Sequence, residues 1–424
     1  MNAIATGITK TVGIATNLAM VPLTVGYLGN EQYGLWMAIS SLIAILQLMD
    51  LGIGNALISM VAHSRNDQSD ISIKNLLASA LLTLTTIGLA IFIIASLAIP
   101  YINWQWLFNY KNSSLNQLAS DSILAFIGYF AINTVLSVVQ PVRLGMQQGH
   151  ANGLYNTIGQ ILNLALVYAA IVQHMPLPVL IISSVAGTVI CNIANLFSLQ
   201  KKLPKEKINT ENLKKAGSQI FKKGSSFLLL QCLGVISYNL DNIIVAHYAG
   251  LNKVPEYSIA MKIFSMPSMV LTLLFSGLWA AYADAISKKD WKWIQETYTK
   301  TLKLSSLASI SMSLALALTL PWTMAWLSKG TTYASWSITS GMFFWGALSA
   351  IGGATASLLN GLHILKAQIY TAIASATLNL TLSIILTQKF GNSGPIWGSV
   401  FSLLIVYPVL CTYTFKTINK KIQH

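Results

Sequence analysis

Leu76–Pro100 reads LLASALLTLTTIGLAIFIIASLAIP and carries no charged residue. An α-helix rises 1.5 Å per residue, so roughly 20 apolar residues cross the ~30 Å hydrocarbon core of a bilayer. This stretch is long enough to do so. Outward from it the same rhythm recurs, and spans are predicted near 4–28, 34–60, 76–100, 121–144, 152–173, 178–200, 225–249, 257–283, 304–327, 336–359, 367–388 and 395–415. Charged residues are 9% of the composition and the mean hydropathy is +0.60, far from a soluble domain. The predicted fold class is all-α, a polytopic integral membrane protein of about 12 transmembrane helices.

The charges orient the spans. With the N-terminus placed in the cytoplasm, Lys111, Lys253, Lys329 and Lys389 fall outside and Lys262 falls within a span. The other 21 of the 26 basic residues then face the cytoplasm, among them Arg143 and eight lysines between Lys201 and Lys223. That asymmetry is the positive-inside pattern, and it supports an even number of spans with both termini cytoplasmic. The net charge of +14 then needs no nucleic acid to explain it, because a lysine-rich face beside anionic headgroups is sufficient. The first nine residues lack a basic leader, so the first helix is expected to be retained. Cys191, Cys232 and Cys411 all lie in predicted spans without a CxxC pairing, and no P-loop or acidic metal cluster is present. No cofactor, no metal and no enzymatic activity are expected.

The longest hydrophilic segment, KKLPKEKINTENLKKAGSQIFKKG at 201–224, divides the chain into an N-terminal six-helix lobe (1–200) and a C-terminal one (225–424). It reads as a basic linker with a short amphipathic helix, either simply solvated or lying on the inner leaflet. The lobes echo one another. Tyr27-Leu-Gly-Asn-Glu31-Gln-Tyr33-Gly follows the first span, and Tyr248-Ala-Gly-Leu-Asn-Lys-Val-Pro-Glu256-Tyr257-Ser follows the seventh. Gly149 to Asn163 is similarly echoed by Gly361 to Asn379. Two parallel six-helix bundles related by an axis along the membrane normal would give this pattern.

These residues resemble a family. Pro22-Leu-Thr-Val-Gly-Tyr-Leu-Gly-Asn-Glu-Gln-Tyr-Gly-Leu-Trp36, followed by Leu48-Met-Asp50-Leu-Gly-Ile-Gly-Asn-Ala56, looks like the N-terminal signature of polysaccharide flippases. These are the O-antigen translocases often called Wzx, within the multidrug/oligosaccharidyl-lipid/polysaccharide exporter superfamily. The resemblance covers essentially the whole chain. It implies two pseudo-symmetric lobes around a central cavity that opens alternately to each side of the bacterial inner membrane. It also implies undecaprenyl-pyrophosphate-linked oligosaccharide as cargo, with a polysaccharide polymerase and a chain-length regulator as partners. One departure is the near-absence of arginine, with Arg65 and Arg143 alone, whereas related flippases often line the cavity with it. Lysine would act here as a point charge without the bidentate fork.

A pyrophosphate and a hydroxyl-rich glycan need a polar, preferably cationic path through hydrocarbon, so embedded ionisable residues are the first site candidates. Lys262, in PEYSIAMKIFSMP, is the favoured cargo contact, against a lysine snorkelling to the outer interface. Asp241, in SYNLDNIIVAH, is expected either to pair with Lys262 or to bind a coupling cation. Asp50, beside glycines in MDLGIGNA, is assigned to a conformational, gating or structural role ahead of direct cargo contact, and Lys10 to the inward mouth or to an interface anchor. His247 is a candidate proton site, since imidazole titrates near neutrality, or else an interfacial histidine. Asn156, Gln160 and Asn163 recur at i, i+4 and i+7 on one helical face. That face suits sugar hydroxyls and interhelical hydrogen bonds equally. Asn17, Gln231, Asn239 and Asn242 add to the buried amides, which must find partners. The tryptophans at 104, 106, 322, 326 and 336 read as an interfacial belt.

Two rival functions remain. A multidrug exporter of the same superfamily would use embedded acids to hold cations, which Asp50 and Asp241 allow. A membrane polymerase or glycosyltransferase would carry a catalytic outer loop, and the largest one, Pro100–Ser120, has one lysine and no acid.

Overall fold

The computed structural model describes residues 2–46, 53–65, 71–110, 112, 114–204, 209, 211, 213–220, 240–362 and 364–422. Helices dominate, and no strand occurs among the described residues. The chain divides into two compact units, Met1–Val235 and Ile236–His424.

In the first unit α1 (Asn2–Leu46) is broken at Gly29, where φ is 70° and ψ is 177°. There follow α2 (Ile53–Arg65), α3 (Ile73–Ala98), the short α4 (Trp104–Phe108), α5 (Ser114–Leu136), α6 (Val139–Gly145), α7 (Gly149–Val172) and α8 (Leu177–Gln200). Helical residues 213–220 form α9. α7 packs along α8 and α1, and α5 packs along α3 and α8. In the second unit come α10 (Asp241–Ala249), α11 (Val254–Phe264), α12 (Met266–Ser287), α13 (Trp291–Leu327), α14 (Trp336–Gly361), α15 (Leu365–Phe390) and α16 (Gly394–Ile422). α15 packs along α16, and α14 along α12, α13 and α16.

Among the described residues eight helical segments are long and apolar enough to cross a membrane. Two of them, Thr9–Leu42 and Lys366–Ile422, each contain a positive-φ glycine, Gly29 and Gly391, that separates two arms. The helix order therefore follows the predicted spans, the seventh being described over its last turns alone. The outward faces are apolar: on α3, Ile94 and Leu97 are each 67% exposed. Such a surface is stable in lipid and not in water, so the chain is an all-α, polytopic membrane protein.

Small residues hold the helices together, as expected where lipid removes the hydrophobic drive for association. Ser305, Ser309 and Ser313 line one buried face of α13, and Ser309 Oγ donates to the Gly346 carbonyl of α14 at 2.6 Å. On α8, a Cβ at Gly187 would stand 2.7 Å from the Asn163 nitrogen and the Gly159 carbonyl oxygen of α7.

The sequence echo has a structural counterpart. Gly29 and Gly250 follow the two Tyr-x motifs with φ 70°, ψ 177° and φ 90°, ψ 156°, a region open essentially to glycine alone. The described residues of 201–224 pack with the first unit. Leu203, Ala216 and Ile220 are buried in a core with Leu57, Val61, Leu76, Val139 and Leu199. Asn75 Oδ1 accepts the Asn209 backbone N–H at 3.2 Å, and Ser79 Oγ donates to the Leu213 carbonyl at 3.0 Å. The apolar face of α9 is thus occupied by protein. Lys214 and Lys215 remain on its exposed face.

Candidate functional site

In the first unit the polar residues converge on the end that carries the turns after α6 and α8. Arg143, in α6, is 1% exposed. Its Nε donates to Asn195 Oδ1, Nη1 to Gln148 Oε1 at 2.9 Å, and Nη2 to the Asn195 carbonyl and to Ser198 Oγ, both at 3.2 Å. The Tyr155 ring centroid lies 5.9 Å from the guanidinium carbon. From there a relay of amides runs inward. Asn195 Nδ2 donates to Asn152 Oδ1 at 3.3 Å, and Asn152 Nδ2 to the Gln140 carbonyl at 2.8 Å. Gln140 Nε2 then donates to Asn156 Oδ1 and Asn192 Oδ1, both at 3.4 Å, and Asn192 Nδ2 to Asn133 Oδ1 at 3.3 Å. An arginine only donates, so it fixes the direction of the first amides in the chain.

The predicted amide face of α7 is divided among three neighbours. Asn156 is half-buried and ends one branch of the relay. Gln160 lies over Gly13 of α1, and its Oε1 is buried without a hydrogen-bond partner. Asn163 is 8% exposed and spends both ends on Thr188, donating to Oγ1 at 2.9 Å and accepting the backbone N–H at 3.2 Å. Those two bonds place Asn163 in the packing of α7 on α8. Lys10 is half-buried on α1, next to Thr9, whose Oγ1 donates to the Gly153 carbonyl at 3.1 Å. Asp50, Gln231, Asn239 and Cys232 lie outside the described residues.

In the second unit Asp241 begins α10 and is 5% exposed. Its Oδ2 accepts a short hydrogen bond from the Tyr257 hydroxyl of α11, and the Tyr257 ring is itself buried. Lys262 is half-buried in the last turn of α11, about 12 Å along the helix from Val254 at 1.5 Å per residue. Among the described residues Asp241 and Lys262 form no ion pair with each other; the salt bridges are the exposed Lys215–Glu211 and Lys288–Asp284. His247 is half-buried near the end of α10, its ring edge-on to Tyr248 at 4.7 Å.

Glu256 closes the end of this unit that bears its turns. It is 8% exposed; Oε1 accepts the Ser335 backbone N–H at 2.7 Å and Oε2 accepts Asn392 Nδ2 at 2.6 Å. Ser335 caps α14 and Asn392 lies in the turn before α16, so one carboxylate ties three turns. Near the other end, the Tyr298 hydroxyl shares a hydrogen bond with Thr355 Oγ1 at 2.9 Å inside a core of Tyr282, Ile294, Leu358 and Ile418.

Sequence reading missed Arg143 as an interior residue and Tyr257 and Glu256 as partners. The first carried a signal: an arginine in a stretch with Gln140, Gln147, Gln148, Asn152 and Asn156 is flanked by amides that could solvate it.

A family described as polysaccharide biosynthesis protein matches residues 2–279, and a second, MatE, matches residues 227–385. A protein of Salmonella typhimurium assigned as an O-antigen transporter is 21% identical over 419 residues, covering 96% of this chain and 95% of that protein. One of Salmonella typhi with the same assignment is 21% identical over 293 residues; the match covers 68% of this chain and spans 66% of that protein's length. Among solved structures, an inward-facing multidrug resistance MATE family transporter superposes with a TM-score of 0.82 at 15% identity, covering 99% of both chains. The lipid II flippase MurJ in an inward closed conformation gives 0.72 at 16% identity, covering 99% of this chain and 89% of that one. These likenesses establish a shared fold.

Proposed function

The chain belongs to the polysaccharide biosynthesis protein family, and from that premise we propose that it is a flippase for lipid-linked oligosaccharide. The cargo is an undecaprenyl-pyrophosphate-linked repeat unit of O-antigen, capsule or exopolysaccharide. It passes from the inner to the outer leaflet of the bacterial inner membrane by alternating access. Both termini face the cytoplasm, and residues 1–200 and 225–424 act as two lobes joined through 201–224. The chain transports rather than catalyses, and a polysaccharide polymerase and a chain-length regulator are its expected partners.

The observation that carries this reading is the match over residues 2–279, joined by a relative assigned as an O-antigen transporter that aligns along 96% of the chain. The interior chemistry supports it. A half-buried Lys262 and a buried Arg143 are positive groups inside a membrane protein, and an anionic pyrophosphate requires such groups. Lys262 contacts the pyrophosphate or acidic sugars, Lys10 the entering headgroup, and the face of Asn156, Gln160 and Asn163 the sugar hydroxyls. Asp241, held by Tyr257, is the coupling residue, with Asp50 and His247 in coupling or gating.

The runner-up is a cation-coupled multidrug exporter, which the MatE match over 227–385 favours. The test supplies this gene to its native strain after deletion of the chromosomal copy and measures surface polymer beside Lys262→Ala. Polymer restored by the wild type and lost in the variant at equal protein level is the expected result. No polymer with gained drug resistance would transfer the case to the exporter.

A further inference from the structure

Arg143 is the one fully buried basic side chain among the described residues, and its surroundings are incomplete in charge. No carboxylate lies within ion-pair distance of it among those residues, and every acceptor it meets is neutral. Taking a full charge out of water is costly, and amide oxygens return the loss only in part. Its acceptors also differ in kind. Three come from α8: the Asn195 side chain, the Asn195 carbonyl and Ser198. The fourth, Gln148 Oε1, belongs to the turn that precedes α7; it is half-buried and follows Gln147, whose φ is 60°. The first three are built into a packed helix, whereas the Gln148 side chain can leave without disturbing one.

We propose that Arg143 and the 146–150 turn form an oxyanion subsite at this end of the first unit, in which a phosphate-type group replaces the Gln148 carboxamide on Nη1. The inference rests on the flippase reading for its biological meaning. A phosphate oxygen supplies the acceptor that Gln148 now supplies and adds the missing counter-charge, and charge-assisted bonds to guanidinium are the stronger kind. Displaced, the Gln148 amide still offers its Nε2–H donors to the same anion. His150 is exposed on the first turn of α7, and Lys201 and Lys202 are exposed just after α8, close in the chain to Gln148 and Ser198, where positive charge favours an incoming anion. The pyrophosphate of the cargo and the phosphate of a bilayer lipid share this chemistry.

The test uses the purified full-length chain in nanodiscs with Gln148→Glu, which places a permanent carboxylate on Nη1. In phosphatidylcholine discs, inorganic pyrophosphate is titrated against thermal unfolding. In a second arm, discs containing phosphatidylglycerol replace the neutral ones without pyrophosphate. Gln148→Glu is expected to raise the unfolding temperature unliganded, which shows that it is folded, and to weaken the anion response at least tenfold. Arg143→Gln, where it folds, loses the response in both arms. A wild-type response to pyrophosphate that Gln148→Glu abolishes assigns the subsite to a cargo-type headgroup. A response confined to phosphatidylglycerol, equally abolished, assigns it to bilayer lipid. No wild-type response in either arm, or a Gln148→Glu response within twofold of wild type, overturns the proposal. Surface polymer is read separately, so its restoration alongside a negative binding result removes the subsite and leaves the flippase reading in place.

Discussion

Asn163 donates its Nδ2–H to Thr188 Oγ1 at 2.9 Å, one residue past Gly187. In the second unit Asn379 donates to Ser399 Oγ at 2.7 Å, one residue past Gly398. Each unit thus joins one helix pair, α7 with α8 and α15 with α16, by the same device: a buried amide reaching a hydroxyl where a glycine lets the backbones approach. The two asparagines are the ones that end the sequence echo between the halves. The duplication is therefore visible in how the helices pack as well as in the turns at Gly29 and Gly250.

Replacing either amide with an isosteric apolar residue should loosen its hairpin. Asn163→Leu and Asn379→Leu are each expected to cost roughly 0.6 to 1.7 kcal/mol, the range for interhelical hydrogen bonds in membranes. Lying in different units, the two losses should add. Thermal unfolding of the purified single and double variants measures this, and a double variant no worse than one single would contradict it.

The glycines beside them have a sharper requirement. A Cβ at Gly187 meets the Asn163 nitrogen at 2.7 Å, and one at Gly398 meets the Ser383 nitrogen at 2.6 Å. Backbone cannot swing aside, so Gly187→Ala and Gly398→Ala should each lower stability by about 1 to 3 kcal/mol, as overpacking does. Gly7 has nothing within 4 Å of a built Cβ. Gly7→Ala should shift the unfolding temperature upward, since alanine favours helix by up to about 1 kcal/mol.

Asp241 and Tyr257 separate coupling from folding. Tyr257→Phe removes the donor to a carboxylate that is 5% exposed, whereas Asp241→Asn keeps an acceptor for the hydroxyl while abolishing the charge. If Asp241 is the coupling residue, Asp241→Asn should lower gradient-driven transport at least tenfold in vesicles while the protein accumulates normally. Tyr257→Phe should retain transport but lose stability by about 1 to 3 kcal/mol, the penalty for a buried polar group left unmade. Equal transport by Asp241→Asn and wild type would exclude the coupling role.

Glu256→Gln keeps one acceptor oxygen and presents an NH₂ to either Ser335 N–H or Asn392 Nδ2, both donors. One bond must fail, and hydrogen bonds to charged groups are worth about 1.5 to 3 kcal/mol. Faster protease cleavage in the turns at 251–253, 328–335 and 391–393 is the expected readout. Unchanged cleavage would show that the turns hold without the carboxylate.

Hydropathy placed the spans because the bilayer imposes one length and one polarity on every crossing. It gives depth and says little about rotation. Arg143 lies within a turn or so of the end of a span, so by depth it resembled a headgroup lysine; that α6 turns it toward Asn195 depends on how α6 meets α8. The stripe of Asn156, Gln160 and Asn163 was legible as one face. That three elements (α6, α1 and α8) share that face was not, because nothing in one helix specifies which neighbour meets each of its turns. The repeated Tyr-x-Gly turns were legible for the opposite reason, since a positive φ combined with an extended ψ, as at Gly29 and Gly250, is open essentially to glycine alone.

Glu256 is also a matter of timing. Its partner Asn392 lies 136 residues further along the chain, and chains are made at about 5 to 20 residues per second. For roughly 7 to 27 seconds after Glu256 is added to the chain, the amide that will bind it does not exist. The clasp can close only when the turn before the last helix is in place. A chain truncated before residue 392 would leave Glu256 Oε2 without the Asn392 amide that it accepts from in the finished protein.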